Sequence, residues 1–371
     1  MKIGIDARVL DRAITGTGRY MLNILSELPN QDNQNEYYLF TNSNINLEKN
    51  YYKIIRHKET LIPLKIFSPI WLNSVLPKQL KENKINLLFE PNAITPLVGL
   101  NEIKCITVVH DAIYRVYKEY YPFFYRQYLS FFLPRSMKKA NTVITVSEQS
   151  KQDLITYFNI PEEKIRIVFN TASDRFRTNV TINDKLTKSF KELNLPPKYL
   201  LYVGVVEKRK NILGLIKILD TLEEEGSNLK LVIIGKAGYQ SELILPEIQK
   251  RKKSIKHFNY IDDDLLPIIY NTAFAFIFPS YYEGFGIPPL EAMQSGIPVI
   301  SANTSALLEV VGDGGLLHNP DDHLAFVKDI LRLENDVEFY TVMKEKALIQ
   351  SQKFNLKATT KKLVEIFNEL K

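Results

Sequence analysis

Short runs rich in apolar residues recur along the chain, several of them followed by a stretch whose apolar residues fall at helical spacing. The runs are Lys2 to Ala7, Tyr37 to Thr41, Asn86 to Glu90, Cys105 to His110, Thr142 to Ser147 and Ile165 to Asn170, then Leu200 to Gly204, Lys230 to Gly235, Ile255 to Ile261, Phe274 to Phe278 and Val299 to Ala302. Runs of this kind predict strands buried on both faces of a parallel sheet. Between them, Arg19 to Leu28 places Tyr20, Ile24, Leu25 and Leu28 on one helical face, and Glu148 to Phe158 follows Ser147, a good N-cap. Ile212 to Thr221, Asp321 to Leu333 and Val337 to Lys371 carry the same helical period. Lys53 to Arg56 reads as a further strand, and Pro63 to Leu80, interrupted by Pro69 and Pro77, as short helices. Alternating strands and helices predict an α/β protein with open, mostly parallel sheets. A chain of 371 residues exceeds one ordinary core and fits two domains of roughly 150–200 residues. The polar stretch 178–197, ending in Pro196-Pro197, marks the connection, giving an N-terminal domain over 1–180, a second over 197–354 and a final helix over 355–371.

Candidate chemistry collects where strands give way to helices. From Phe274 to Pro298 a strand, a turn-rich loop and a short helix (Leu290 to Ser295) follow one another, with Glu283 on the loop and Glu291 expected in the first helical turn. A carboxylate pair beyond a strand's carboxyl end suits a polyhydroxylated ligand, because each ionised carboxylate accepts hydrogen bonds and donates none. Each also has a plainer reading, as a helix-dipole complement or a turn residue. After the Leu200 to Gly204 strand stand Lys208, Arg209 and Lys210, three cations that repel one another and call for an anion; at the start of a helix, phosphate fits. Thr15-Gly16-Thr17-Gly18 leads into the first helix, where free amides favour an anion, although a structural turn fits the same residues. His110 and Asp111 end an apolar strand at the ligand-facing edge of the first sheet, or His110 merely caps it. Ala112 to Ala140 interleaves ten Tyr and Phe with Arg and Lys; this suits a membrane interface, stacked sugars, or a helix packed on its own domain.

Composition narrows the classes. Net charge is +6 and the pI about 9.0, compatible with an anionic small molecule, membrane face or nucleic acid, but no nucleic-acid module spacing is present. Lys250 to Lys253 reads as a solvated helix end. The single cysteine, Cys105, excludes a disulfide framework or a cysteine metal cluster. No signal-peptide pattern opens the sequence, and no stretch approaches the ~20 apolar residues of a membrane span, so a cytoplasmic location is expected.

The string Glu283-Gly-Phe-Gly-Ile-Pro-Pro-Leu-Glu291 resembles the E-x(7)-E motif of the retaining, nucleotide-sugar-dependent glycosyltransferases of family 4. Gly204 to Asn211 resembles their G-x(4)-R-K-N motif, and Lys2 to Val9 with Thr15 to Tyr20 and Val109 to Ala112 look most like bacterial O-antigen mannosyltransferases. The resemblance implies the GT-B fold, two Rossmann-like domains facing each other across a cleft, with the last helix crossing back to the N-terminal domain. It implies that Arg209 and Lys210, helped by amides of Gly16, Thr17 and Gly18, clasp a donor diphosphate, while Lys208 faces solvent. It further implies Glu291 on the ribose, Glu283 with the amides of Gly284, Phe285 and Gly286 on the sugar, and His110 on the transferred sugar. The family's Asn-Gly-Val-Asp turn is replaced by Asn170-Thr171-Ala172-Ser173-Asp174, so no residue is carried over there. The implied activity is retaining transfer of a hexose, mannose from GDP-mannose as first choice, without a metal or other cofactor. The acceptor would be a glycan or polyprenyl-diphosphate-linked oligosaccharide, and an anionic membrane surface a further partner. A UDP-hexose or deoxysugar donor, or a non-catalytic glycan-binding protein of the same fold, remain open alternatives. Asp262 to Asp264 sits at an expected helix start, not at a strand end suited to a metal.

Overall fold

The structure is a computed structural model and describes residues 1–11, 16–44, 47, 50–56, 70–180 and 183–371. Thr15 and the 63–69 part of the Pro63 to Leu80 stretch expected to form short helices therefore lie outside the described residues. The chain forms two compact units, Met1–Thr171 with Leu356–Lys371, and Ala172–Asn355. The crossing lies at Thr171–Ala172, ahead of the polar stretch where sequence pattern set it, so the helix Asp184–Glu192 belongs wholly to the second unit.

The first unit is built on a seven-stranded parallel sheet, order β3-β2-β1-β4-β5-β6-β7. Its strands are β1 (Lys2–Asp6), β2 (Glu36–Phe40), β3 (Tyr52–Ile55), β4 (Leu87–Glu90), β5 (Lys104–Val108), β6 (Thr142–Thr145) and β7 (Ile165–Ile167). Order reverses between β1 and β4, which pair in the register Ile3↔Leu87, Gly4↔Leu88, Ile5↔Phe89. Helix α1 (Gly16–Gln31) buries Tyr20, Ile24, Leu25 and Leu28, the stripe its spacing predicts. Trp71–Val75 winds as a π-helix before an α-helical turn over Leu76–Glu82, and Trp71, Leu72, Leu76 and Leu80 fill the core beside Tyr38, Phe40 and Leu88. Helix α2 (Phe123–Lys139) turns Leu133 and Met137 inward, and α3 (Glu148–Phe158) is capped by Ser147, whose Oγ accepts from Ser150 N at 3.0 Å. The 337–371 stretch, read as one helical region, breaks at 352–355, where the chain passes back to the first unit. There the C-terminal helix (Leu356–Glu369) packs Phe367 edge-on to Phe89 at 5.3 Å. Full burial of Leu363 and Phe367 is worth about 1.5–3 kcal/mol each.

The second unit repeats the design with six parallel strands, order β10-β9-β8-β11-β12-β13. These are β8 (Tyr199–Val203), β9 (Lys230–Ile234), β10 (Ile255–Phe258), β11 (Ala275–Phe278), β12 (Val299–Ala302) and β13 (Leu316–His318). The reversal lies between β8 and β11, paired Leu200↔Ala275 and Leu201↔Phe276. Helices α4 (Ile212–Glu224), α5 (Ile287–Gln294), α6 (His323–Asn335) and α7 (Val337–Ser351) cover the sheet. Every β11 residue is buried, which is why that strand carries no polar position. Asp262 to Asp264 does not open a helix: the helix there is Leu266–Thr272, with Pro267 in its first turn, where the missing N–H costs nothing.

Candidate functional site

In an open parallel sheet the reversal of strand order leaves a crevice at the carboxyl ends of the two central strands. In the second unit those ends lead into the loops 204–211 and 279–286. The first loop is pinned to the loop after β9: Gly204 N donates to Ile234 O, Val206 N to Lys236 O and Gly238 N to Val206 O, each at 2.9 Å. A side chain at Gly235 would place its Cβ 1.8 Å from Gly204 O, so only glycine permits this approach. Lys208–Lys210 then forms one 3-10 turn, and Asn211, left-handed at φ 55°, caps α4 by accepting from Gly214 N at 3.2 Å.

This turn splits the three cations. Lys208 is exposed, whereas Arg209 is half-buried and Lys210 buried. Lys210 Nζ lies 5.2 Å from the Phe278 ring centre and donates to Glu283 Oε1 at 2.5 Å. The same oxygen accepts from Ser280 Oγ at 2.6 Å and lies 3.2 Å from Arg209 Nη1. Arg209 also donates to Tyr282 O and to Glu207 Oε1, both at 2.6 Å. Of the three cations that call for an anion, Arg209 and Lys210 each meet a carboxylate of the protein itself, Glu207 and Glu283. Burial pulls the Glu283 carboxyl up, but the Lys210 and Arg209 charges and the bonds from Lys210 and Ser280 outweigh it and hold it below the usual range. Burial and the Arg209 charge together pull the Lys210 ammonium down against the opposing pull of Glu283. Glu283 Oε2 makes no hydrogen bond among the described residues. That oxygen is the acceptor this carboxylate can offer a hydroxyl group.

The loop is held from behind: Glu283 N donates to Ser305 Oγ at 2.8 Å and Thr304 Oγ1 to Ser280 O at 2.9 Å. Gly286, at φ 116°, turns the chain into α5. The helix starts at Ile287 with both prolines in its first turn, so Glu291 lies one turn later than the sequence pattern set it. Its carboxylate is buried and accepts from Tyr270 OH at 2.9 Å. Gly284 is half-buried, while the Phe285 ring packs edge-on to Phe354 at 5.3 Å. Ser280, Ser305, Tyr270 and Glu207 were not singled out from sequence; Glu207 stands within the Gly204 to Asn211 string and Ser280 within the Phe274 to Pro298 stretch, but Tyr270 and Ser305 carry no local signal.

In the first unit, Gly16, Thr17 and Gly18 are not a loop but the opening turn of α1, where amide N–H groups have no acceptor four residues back. His110 lies two residues beyond β5. Its Nε2 meets Pro91 O at 3.3 Å and Tyr20 stands edge-on at 5.1 Å. Although His110 keeps some surface, this enclosure draws its imidazole down to about 4, against the pull of the Pro91 carbonyl, so it is neutral at pH 7. Nε2 then carries the proton towards Pro91, and Nδ1 is the acceptor. Helix α2 is packed on its own unit through one face, yet leaves Phe123, Phe124, Tyr125 and Phe131 at least about half exposed, Phe124 at 85%. No helix of the described residues is long and apolar enough to cross a membrane.

A family model described as "Glycosyl transferases group 1" matches residues 184–349, and one described as "Glycosyltransferase Family 4" matches 14–173. The O-antigen chain mannosyltransferase B of Escherichia coli is 30% identical over 279 residues, 72% of this chain and 71% of that protein. The serotype-specific mannosyltransferase WbdA of Escherichia coli is 29% identical over 279 residues, of which this chain spans 34% of the length. Among solved structures, sucrose-phosphate synthase from Thermosynechococcus elongatus superposes with a TM-score of 0.78 at 18% identity, over 100% of this chain and 98% of that one, a likeness of fold. With a GT-B fold, both family models and a relative matched over most of its length, the chain belongs to the family 4 glycosyltransferases.

Proposed function

We propose that the protein transfers mannose from GDP-mannose to a glycan or polyprenyl-diphosphate-linked oligosaccharide during cell-surface polysaccharide synthesis, with retention of anomeric configuration and without a metal. The carrying observation is the joining of Lys210 and Arg209 to Glu283 at the strand-order reversal of the second unit. In this reading the two cations neutralise the charge that grows on the leaving diphosphate, from positions that Tyr282 O and Glu283, itself braced by Ser280, already hold. Glu283 Oε2 accepts from a sugar hydroxyl near the reacting carbon, Glu291 from the ribose, and neutral His110 from the sugar. The backbone of Gly284, Phe285 and Gly286 lines the sugar, and the opening turn of α1 at Gly16, Thr17 and Gly18 offers amides to an anion. Among the described residues no side chain stands out as a nucleophile, which favours front-side displacement through an oxocarbenium-like transition state. The E. coli relative, a mannosyltransferase of the O-antigen chain, supports the choice of sugar and pathway class.

Calorimetric titration with GDP and UDP, each with and without EDTA, tests the donor. Tight GDP binding that EDTA leaves unchanged, followed by mannosyl transfer, is expected. A preference for UDP would overturn the donor, and loss of transfer in EDTA the metal-free mechanism. The exposed aromatic rings of α2, with Arg126 over Phe123 and Arg135 over Phe131, support peripheral contact with an anionic bilayer. Flotation with vesicles rich in anionic lipid should carry the protein, and Phe124→Glu should release it; a protein that stays unbound removes the membrane from this reading.

A further inference from the structure

The clasp on Arg209 and Lys210 is electrically balanced before any ligand arrives, and the two balancing carboxylates are held very differently. Glu283 receives Lys210 and Ser280 on one oxygen, and its backbone N–H is fixed to Ser305. Among the described residues Glu207 forms one ion pair, to Arg209 Nη2 at 2.6 Å. It precedes the 3-10 turn in extended conformation without capping it through its side chain. Its carboxylate instead reaches two residues forward, alongside Gly238, where an added Cβ would stand 3.2 Å from Glu207 Oε2. The Glu207 and Arg209 side chains are 20% and 18% exposed, so solvent screens their attraction only in part. A half-buried guanidinium without an anion is costly, yet an anion that never leaves would repel a diphosphate.

We propose that Glu207 is an exchangeable counter-anion, which neutralises Arg209 in the empty site and yields Nη2 to the diphosphate of an incoming nucleoside diphosphate or its sugar ester. The inference rests on the diphosphate-clasp reading above and adds a residue that acts through Arg209, hence a positioning residue. Binding is then an exchange of one anion for another, and departure of the nucleotide product is assisted when Glu207 returns to Arg209. Glu207 thereby lowers affinity in favour of release.

The experiment is titration of the full chain with GDP and with UDP at several salt concentrations, for wild type, Glu207→Gln, Glu207→Asp, Arg209→Ala and the Glu207→Gln/Arg209→Ala pair. Removing the competing charge should tighten nucleotide binding roughly tenfold and steepen its loss with salt. Glu207→Asp should stay within about twofold of wild type, since the charge remains. On the Arg209→Ala background Glu207→Gln should tighten nothing, because non-additivity is what action through Arg209 predicts. In steady state, Glu207→Gln should lower KM for the donor, strengthen inhibition by the nucleotide product and lower kcat. Equal or weaker binding by Glu207→Gln overturns the proposal, as does tightening that survives Arg209→Ala. A change in melting temperature that accounts for the effect overturns it too. A wild type that binds neither nucleotide overturns the diphosphate clasp itself; a wild type that binds while Glu207→Gln changes nothing overturns only the counter-anion.

Discussion

Replacing Lys210 by Met keeps most of the side chain's volume and removes its charge, which isolates the ion pair with Glu283. Breaking a buried pair by deleting one partner costs about 3–5 kcal/mol when the other charge is stranded. Glu283 is not fully stranded, because Ser280 Oγ stays at 2.6 Å and Arg209 Nη1 at 3.2 Å from the same oxygen. We therefore expect a loss at or just below the bottom of that range, about 2–3 kcal/mol at pH 7. For a unit of this size that is roughly 5–10 °C in the second unit's melting temperature. Adding Glu283→Gln should recover part of the loss, since an amide needs no counter-charge. The pH dependence gives a sharper test. The Glu283 carboxyl titrates below its unfolded value in the wild type, so the stability it contributes is complete above about pH 4.3 and is lost as pH falls through the lowered folded value. Without Lys210 that folded value moves up, and the gap between wild type and variant should close in acid. Urea unfolding of both proteins from pH 3 to 8 measures this. A loss under about 0.5 kcal/mol, the scale of ordinary surface substitutions, or one that is flat in pH, would refute the pair as the element holding the loop.

His110→Asn should flatten the stability profile between pH 4 and 6.5. The imidazole, held near 4 in the fold and about 6.5 when unfolded, makes its contribution in full above the unfolded value. That contribution declines as pH falls towards 4, by at most about 3 kcal/mol, and less because the ring keeps some surface; urea unfolding across that range is the check. Gly235→Ala drives a methyl into the Gly204 carbonyl and should cost on the order of 3 kcal/mol or more, read as a fall in melting temperature with nucleotide binding lost alongside. Tyr270→Phe removes the hydroxyl bonded to buried Glu291 and should destabilise by about 1–3 kcal/mol while weakening nucleotide affinity, both measurable by thermal shift with and without GDP.

The strands were legible because sheets covered on both faces demand unbroken apolar runs, and Phe276, Ile277 and Phe278 read as buried from composition alone. The glycines and prolines of 284–289 were legible as a strand-to-helix junction for a related reason, since each has a backbone conformation to satisfy. What could not be read was partnership across distance. Lys210 and Glu283 are 73 residues apart and meet only because β8 lies beside β11, a fact of strand order that no local pattern encodes. The resemblance already implied that Lys208 faces solvent; the run of like charge itself gave no sign of the 3-10 turn that sends Lys208 outward and Lys210 inward. For α2, ring and cation spacing fitted either burial or exposure; only the packing of Leu133 and Met137 shows which face is inside.

The strand-order reversal of the first unit offers a comparison that explains why the second is the better place for a diphosphate. There, too, an arginine meets carboxylates at the ends of the two central strands: Arg8 beside Asp6 of β1, with Glu90 ending β4. Asp6 holds Arg8 by two prongs, Nε to Oδ1 at 2.8 Å and Nη2 to Oδ2 at 2.5 Å, and the guanidinium lies 3.7 Å from the Trp71 ring centre. Both carboxylates are wholly buried. Burial and the neighbouring Asp6 charge push the Glu90 carboxyl well above its usual range, so it stays protonated, while Arg8 outweighs burial and holds Asp6 ionised. A two-pronged, stacked and buried pair surrenders its cation only at a cost of several kcal/mol, which suits a fixed brace under the sheet edge. Arg209 is held by Glu207 through one prong, and its neighbour Lys210 by an oxygen shared three ways. The same residue types at equivalent positions therefore do different work. Arg8 is locked to an internal anion, whereas Arg209 can exchange its internal anion for one that comes and goes.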